Sequence, residues 1–457
     1  MKIKFTFLCV FFLLNTSLYS QESDSAMIKK IFTAALSHGT AYSNLGELCR
    51  DVGGRLSGSD QAAKAVVWAK QTMQNLKADS VYLQEVMVPH WVRGEKESAQ
   101  IVPAKGNPIE VKICALGGSV ATSPEGLTGN VVEVFNVDTL EKLGRKVLEG
   151  KIVFFNGPMD PTEVFAFHAY GKAIAQRWAG PSAAAKYGAI ATICRSMTLA
   201  TDDYSHTGAM RYKDSIPKVP CCAISTIGAN KLSAELKKAS GTKFHFKQSC
   251  MDLPDVLSFN VIGEIRGTEK PDQVIVAGGH LDSWDLGEGA HDDGAGVVQT
   301  MEVIRIFKSL GLIPKHTIRI VAFMNEENGL RGGKKYADVS KNKKEKHLAA
   351  LESDGGGFSP RGFSFEGDSL VQRRLESWKP LLLPYGLYEF SPDGGGADIS
   401  PLRDEHVPLF ELRPDSQRYF DFHHTAKDTF ENVHKRELEL GAASMAALIY
   451  LIDKYGF

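Results

Sequence analysis

Past its first twenty residues the chain has no apolar run long enough to cross a bilayer, which takes about 20 residues, so no membrane insertion is expected of the mature protein. It also lacks an excess of either charge. The 53 lysines and arginines stand against 54 aspartates and glutamates, a formal net charge of −1. A protein whose main partner is nucleic acid presents a basic face, so that partner is not expected. The run Lys341-Asn342-Lys343-Lys344-Glu345-Lys346 is read as solvated surface. Cysteine is sparse, and none of Cys9, Cys49, Cys114, Cys194, Cys221, Cys222 and Cys250 has metal-ligand spacing. Six lie beyond the leader. In an exported protein they permit disulfides without requiring them. Adjacent Cys221 and Cys222 cannot pair without strain, and the plainer reading is small buried apolar side chains.

What is present begins with a leader: basic Met1-Lys2-Ile3-Lys4, apolar Phe5 to Leu14, then mixed Asn15 to Ser20. This is the pattern of a secretory signal peptide, so the mature protein, starting at Gln21, is expected to be secreted or periplasmic. A chain of 457 residues has room for two domains. Helical spacing predicts a helix over 26–48. After the glycine-rich turn Gly53 to Asp60, Ser59 or Asp60 caps a predicted helix over 61–76, and alternation predicts a strand over 80–88. The stretch 116–250 reads as a small β-rich module, with strands near 150–156, 188–193 and 219–224, a short helix at 181–187 and no clustered ligands. From Phe259 onward, strands at 273–278, 317–324, 348–352 and 409–413 alternate with helices, the first over 292–310. That alternation predicts an α/β fold, a mostly parallel sheet sandwiched by helices. The expected organisation is a leader (1–20), a catalytic domain split between 21–115 and 251–457, and the insert 116–250.

The chemistry concentrates in the second catalytic stretch. Gly279-His280-Leu281-Asp282-Ser283-Trp284-Asp285 is followed by His291-Asp292-Asp293-Gly294-Ala295-Gly296, then by Glu326-Glu327, Asp354 and His423-His424. His280, the glutamate pair and Asp354 each directly follow a predicted strand, and ligands of open α/β sheets gather outside the carboxyl ends of strands. Zinc accepts imidazole and carboxylate together, and two ions about 3.5–4 Å apart need a carboxylate between them. Asp292, opening a predicted helix, suits that bridge. Taken singly, His280 reads as a structural histidine, Asp292 as an ordinary helix cap and the glutamates as a solvated turn. Their convergence on one sheet edge is what favours a metal site. Spacing does not distinguish His291, Asp293, Asp285 and His423 from the chosen residues.

These motifs resemble the zinc-dependent exopeptidases with a co-catalytic metal pair, the bacterial leucyl aminopeptidase type, and within them the plasma glutamate carboxypeptidase branch. The resemblance spans nearly the whole mature chain. It rests on Gly54-Arg55-Leu56-Ser57-Gly58-Ser59, Pro89 to Glu95, Gly279 to Gly287, Asp292-Asp293-Gly294, Glu352-Ser353-Asp354 and His423-His424. It implies two zinc ions per chain: His280 and Asp354 on one, Glu327 and His424 on the other, with Asp292 bridging. It implies Glu326 as general base and Asp282 as the partner that hydrogen-bonds His280. His424 is chosen over His423 because His424-Thr425 leading to Asp428-Thr429 matches the family's final motif. The insert resembles the protease-associated domain, and the resemblance extends to a homodimer. One departure is Asn325, where the family often has an acidic residue or alanine before the glutamates.

The implied activity is hydrolysis of dipeptides or short peptides by water activated between the metals. Two other readings stand beside it: an amide hydrolase or glutaminyl cyclase on the same fold, and a catalytically silent binding protein. Pocket residues are not legible, although Ser391 to Asp398, with three glycines, is a candidate wall.

Overall fold

The computed structural model describes residues 23–457; the expected signal peptide lies outside the described residues. The chain builds two eight-stranded sheets. The first runs, in spatial order, Ser80–Val92, Met251–Ile265, His316–Phe323, Lys270–His280, Lys346–Glu352, Leu409–Pro414, Pro360–Glu366 and Glu389–Ser391. Its four central strands, 316–323 through 409–414, are parallel. The flanking pairs are antiparallel except the last. The sheet is therefore mixed: its parallel centre is the one the sequence suggests, and its antiparallel pairings lie toward the two edges. The long strands 80–92 and 251–265 pair directly as antiparallel neighbours across the whole insert, and no βαβ alternation announces such an edge.

Strand His316–Phe323 is buried at every position, which requires cover on both faces. Ile275 and Ala277 face one side with helices Asp24–His38, Asp60–Asn75, Ala295–Leu310 and Lys435–Tyr455. Val274 and Val276 face the other with Tyr336 and Ala337 of helix Arg331–Lys343. The helix expected over 26–48 is two, Asp24–His38 and Ala41–Asp51, because the chain turns extended at Gly39. The helix 60–75 is capped by Ser59, whose hydroxyl accepts from Ala62 N.

The second sheet runs Ile109–Glu110, Ser98–Val102, Lys243–Lys247, Leu127–Val134, Ile152–Phe155, Ala191–Arg195, Cys221–Ile224 and Ile113–Ala115. It draws in three short strands from before residue 116: Ser98–Val102 pairs with Lys243–Lys247 and with Ile109–Glu110, and Ile113–Ala115 pairs with Cys221–Ile224. No change of composition marks that start. Helices Thr139–Leu148, Gly180–Lys186 and Thr226–Lys238 accompany its parallel centre, so the insert is α/β and not merely β-rich. The two units share a hydrophobic cluster in which Ala169, Met197 and Met210 of the insert meet Phe358, Tyr419, Phe420 and Phe422. Arg93, which makes a two-pronged ion pair with Asp285 at 2.6 and 2.8 Å, also donates to Thr207 Oγ1 of the insert at 3.3 Å.

All six described cysteines are free and buried, and burial pushes the thiols of Cys49, Cys114 and Cys194 up to about 12. A thiol needs exposure and thiolate character to react. A thiol reagent at neutral pH should thus modify essentially none of the six in the native protein and all six in denaturant. Fewer than six in denaturant without reductant would mean that disulfides form.

Candidate metal centre

Each candidate ligand is delivered by the end of an element or by a turn beyond it. His280 ends strand Lys270–His280, and Asp354 lies two residues beyond strand Lys346–Glu352. Glu326 and Glu327 stand in a turn after strand His316–Phe323, and His424 follows the short helix Tyr419–Phe422. Parallel register places the first three side by side, with His280 opposite Phe323 and Gly278 opposite Glu352.

The five predicted ligands converge around Asp292. Its Oδ1 lies 3.2 Å from His280 Nε2, which is 3.4 Å from Asp354 Oδ1. Its Oδ2 lies 3.2 Å from His424 Nε2, which is 3.1 Å from Glu327 Oε2. The two oxygens of one carboxylate thus face two different ligand groups. Donor atoms on one tetrahedral zinc with bonds of about 2.0–2.1 Å sit roughly 3.3–3.5 Å apart, close to these spacings. No lysine or arginine forms an ion pair with Asp282, Asp292, Glu326, Glu327 or Asp354 among the described residues. Buried carboxylates without a countercharge are costly, and cations between them would remove that cost. The donor set therefore fits divalent metal.

Asp292 itself departs from expectation. The regular helix begins at Ala295, and Asp292 stands before it with φ −119° and ψ 90°. Its charge is not carried by the helix start. Its main-chain N–H and that of His291 donate to the Asp428 carboxylate, at 3.1 and 2.7 Å. Asp293 caps the helix in its place. Its Oδ1 accepts from Gly296 N at 2.9 Å and its Oδ2 from His280 N at 3.0 Å.

Asp282 also differs. His280 Nδ1 is 2.9 Å from the main-chain carbonyl of Asp282, not its carboxylate. The carboxylate instead accepts from Asn325 N (2.6 Å) and Glu326 N (3.0 Å), fixing the glutamate turn. Asn325 occupies the left-handed region, φ 75°, which asparagine tolerates better than most side chains. That accounts for asparagine here.

Of the near-duplicates, His291 and Asp285 are engaged elsewhere. His291 accepts from Gly357 N and reaches Asn432 O, and Asp285 is held by Arg93. His423 stays beside the site: it stacks on His424 with ring centroids 3.5 Å apart, its Nε2 lies 3.7 Å from Asp292, and its donor atom groups with those of Asp292 and His424, while His424 meets both Asp292 and Glu327. Asp398, in the candidate wall, is buried, and its main-chain N–H donates to Glu352.

Two supports have no signal in the sequence. Trp284 N donates to Glu327 Oε1 at 3.1 Å. His424 Nδ1 lies 3.3 Å from Thr207 O, a carbonyl of the insert. Metal-ligating histidines usually donate their other ring N–H in this way. The insert thus supplies no candidate ligand yet touches one.

The fold and this constellation define a metallopeptidase. A family model described as Peptidase family M28 matches residues 260–449, and the chain belongs to that family. It is 35% identical over 412 residues to carboxypeptidase Q of Rattus norvegicus, covering 90% of this chain and 85% of the relative. The crystal structure of a peptidase M28 precursor from Shewanella amazonensis SB2B superposes with a TM-score of 0.90 at 33% identity, covering 94% of this chain and 96% of that one. BSAP, a zinc aminopeptidase from Bacillus subtilis, shares the fold at 20% identity with a TM-score of 0.63, covering 90% and 93%.

Without metal, protons must hold this site together. Burial lowers the His424 imidazole, but Glu327 and Asp292 outweigh it and raise the group to about 9. Burial, then the charge of Asp292, raises the Glu327 carboxyl to about 7. Both groups bind protons more tightly folded than unfolded. Their contribution is complete below the unfolded values and is lost as pH rises through about 7 and 9. The melting temperature of chelator-treated protein should fall between pH 6 and 9.5, a loss of at least about 1.4 kcal/mol, equivalent to one pKa unit. Added zinc should flatten the slope, and a flat metal-free profile by calorimetry would contradict this account.

Proposed function

We propose that this protein is an exported zinc exopeptidase that hydrolyses dipeptides or short peptides and carries two zinc ions per chain. The observation that carries this reading is the split engagement of Asp292, Oδ1 toward His280 and Asp354, Oδ2 toward Glu327 and His424. His280 and Asp354 would hold one ion, Glu327 and His424 the other, with Asp292 shared. When bound, such ions lower the pKa of water and stabilise negative charge on a carbonyl oxygen. The leader supports secretion or a periplasmic location. No helix among the described residues is long and apolar enough to cross a membrane. The second sheet is read as a protease-associated domain, and the assembly as a homodimer.

Among the described residues Glu326 pairs with neither His280 nor His424, whereas Glu327 pairs with His424. Glu326 takes a proton from the attacking water and returns it to the leaving amine. Burial pushes its carboxyl well above the usual range; His280 opposes the shift, while Asp354 and Glu327 reinforce it. A carboxylate whose proton affinity is raised above the ordinary range is better suited to accept a proton and give it back. Asp282 positions the site twice, holding Glu326 N through its carboxylate and His280 through its carbonyl. Glu326→Gln should reduce kcat by at least about 10²-fold, as for loss of a general base, with metal retained. Glu327→Ala should lower metal content. Activity and metal analysis on both variants decide the matter: metal loss in Glu326→Gln alone would reverse the two roles.

Polarity follows from charge. Asp292, Glu327 and Asp354 would offset three of the four charges of two zinc ions and an attacking hydroxide the fourth, so ionised Glu326 would leave the balance negative, with nothing positive for a substrate carboxylate. The arginines that could intervene are engaged: Arg403 with Glu366, Arg413 with Glu389 (3.4 Å) and Asp393 (3.6 Å), and Arg418 over the rings of Phe358 and Phe422. A free substrate ammonium is therefore favoured beside the metals. N-acetylation of a good dipeptide should lower kcat/KM at least about tenfold, roughly 1.4 kcal/mol of transition-state stabilisation. Equal rates for free and acetylated dipeptides would return the site to a carboxypeptidase or general amidase reading.

A further inference from the structure

The turn Gly53 to Ser59 lies outside the matched stretch 260–449 and takes no part in the chemistry above, yet it is built into the site. Arg55 is fully buried. Among the described residues its guanidinium bonds only to main-chain carbonyls. Nε donates to Leu281 O (2.6 Å), Nη1 to Glu288 O (2.7 Å) and Gly53 O (3.4 Å), and Nη2 to Gly289 O (3.0 Å). Buried arginines are rare unless paired, so a guanidinium spent on carbonyls alone serves geometry. Leu281 directly follows His280, and Gly289 stands three residues before Asp292. One rigid fork thus grips both ends of the loop joining two metal-site residues. Main-chain contacts reinforce it: Arg55 N donates to Ser283 Oγ at 3.2 Å, and Ser283 N to Arg55 O at 3.4 Å.

Two residues on, Ser57 reaches the other ligand-bearing turn. Its Oγ donates to Asn328 Oδ1 (3.0 Å) and accepts from Asn325 Nδ2 (2.8 Å). Asn325 and Asn328 bracket Glu326 and Glu327. The packing leaves no slack: a Cβ at Gly54 would lie 2.7 Å from Gly287 O, and one at Gly289 would lie 2.7 Å from Arg55 Nη1.

We propose that Arg55 and Ser57 are positioning residues of the metal centre, Arg55 fixing His280 relative to Asp292 and Ser57 fixing the turn of Glu326 and Glu327. The inference rests on the ligand assignment proposed above. Neither residue touches substrate; each acts through main chain or asparagine. Lysine keeps the charge of Arg55 but has no planar fork to span separated carbonyls. Its substitution leaves buried carbonyls unpaired and the two ligands free to drift apart. The ligands are then present but not pre-arranged, so metal affinity should fall.

The test compares Arg55→Lys and Ser57→Ala with His316→Gln, a control at the opposite end of strand His316–Phe323, where His316 N and Nδ1 hold Asp453 Oδ1 at 2.8 and 3.0 Å. Three quantities are measured: melting temperature without metal, zinc affinity and stoichiometry by competition with a chromophoric chelator, and the visible spectrum of cobalt-substituted protein. Arg55→Lys should weaken both zinc ions at least about tenfold and alter the cobalt spectrum. Ser57→Ala should weaken one ion only, with kcat falling more than KM changes. His316→Gln should lower the melting temperature while keeping wild-type affinity and spectrum. Wild-type zinc affinities and spectra in folded Arg55→Lys and Ser57→Ala would overturn the proposal. So would an equal affinity loss in His316→Gln at equal destabilisation. If Arg55→Lys does not fold, Ser57→Ala decides. A wild-type protein that binds no zinc would instead overturn the ligand assignment itself.

Discussion

The structure is organised around carboxylates forced together in a place where, among the described residues, no lysine or arginine pairs with them and only imidazoles do. Asp292, Glu327 and Asp354 meet two imidazoles at one edge of the sheet, with Glu326 and Asp282 beside them. Such a cluster is unfavourable by itself. It persists because each member is held by main chain that has no alternative place to go. His280 is the last residue of a strand buried on both faces. Asp354 leaves the neighbouring strand, and Ser353 N is tied back to Gly278 O at 3.0 Å. The energy of the core, spread over both faces of the sheet, is what keeps the charges in company.

The insert belongs to the same logic. It brings no candidate ligand, but its packing is concentrated on the segment that leads into His424. Tyr170 stacks on Phe420 and meets the ring of His423 edge-on. Arg177, with its Nη2 on the Tyr170 hydroxyl, donates Nη1 to Thr207 O, the carbonyl that also faces His424 Nδ1. A displacement of the insert would therefore be felt at a metal-site histidine through one carbonyl.

Much of this is legible in the sequence because strand ends are. Buried apolar runs ending in His280, Glu326-Glu327 and Asp354 announce both the sheet and the candidate site residues it delivers, and parallel neighbours align their ends. What is not legible depends on contacts across the fold. The antiparallel edge of Ser80–Val92 on Met251–Ile265 joins residues some 170 apart. The strands between 98 and 115 are too short to show periodicity, so the second sheet begins earlier than the sequence suggests. Asp292 looks like a helix cap because Gly294 and Gly296 follow it, whereas the cap is Asp293, whose second oxygen is committed to His280 N. The carboxylate of Asp282 is expected on the histidine two residues before it. It lies instead on amides more than forty residues later, a partner no local pattern could reveal.

The ligand-bearing turns share one further property. Asn325 stands at φ 75°, His424 at 62° and Gly289 at 62°. Left-handed backbone costs a residue with a side chain roughly 1–2 kcal/mol, so Asn325 and His424 need local compensation. Asn325 receives it through Asp282 at its N–H and Ser57 at its side chain. His424 receives it from Thr207, whose N–H donates to His424 O at 3.0 Å and whose carbonyl faces the ring. Apart from Asp282, the compensating groups come from outside the central sheet, Ser57 from the N-terminal turn and Thr207 from the insert. The parallel strands can deliver side chains to an edge, but they cannot bend the chain to bring those side chains face to face. The segments outside the sheet make that bend stable, which is why a metal centre whose candidate ligands all lie between residues 280 and 424 requires a chain that begins its packing before residue 60.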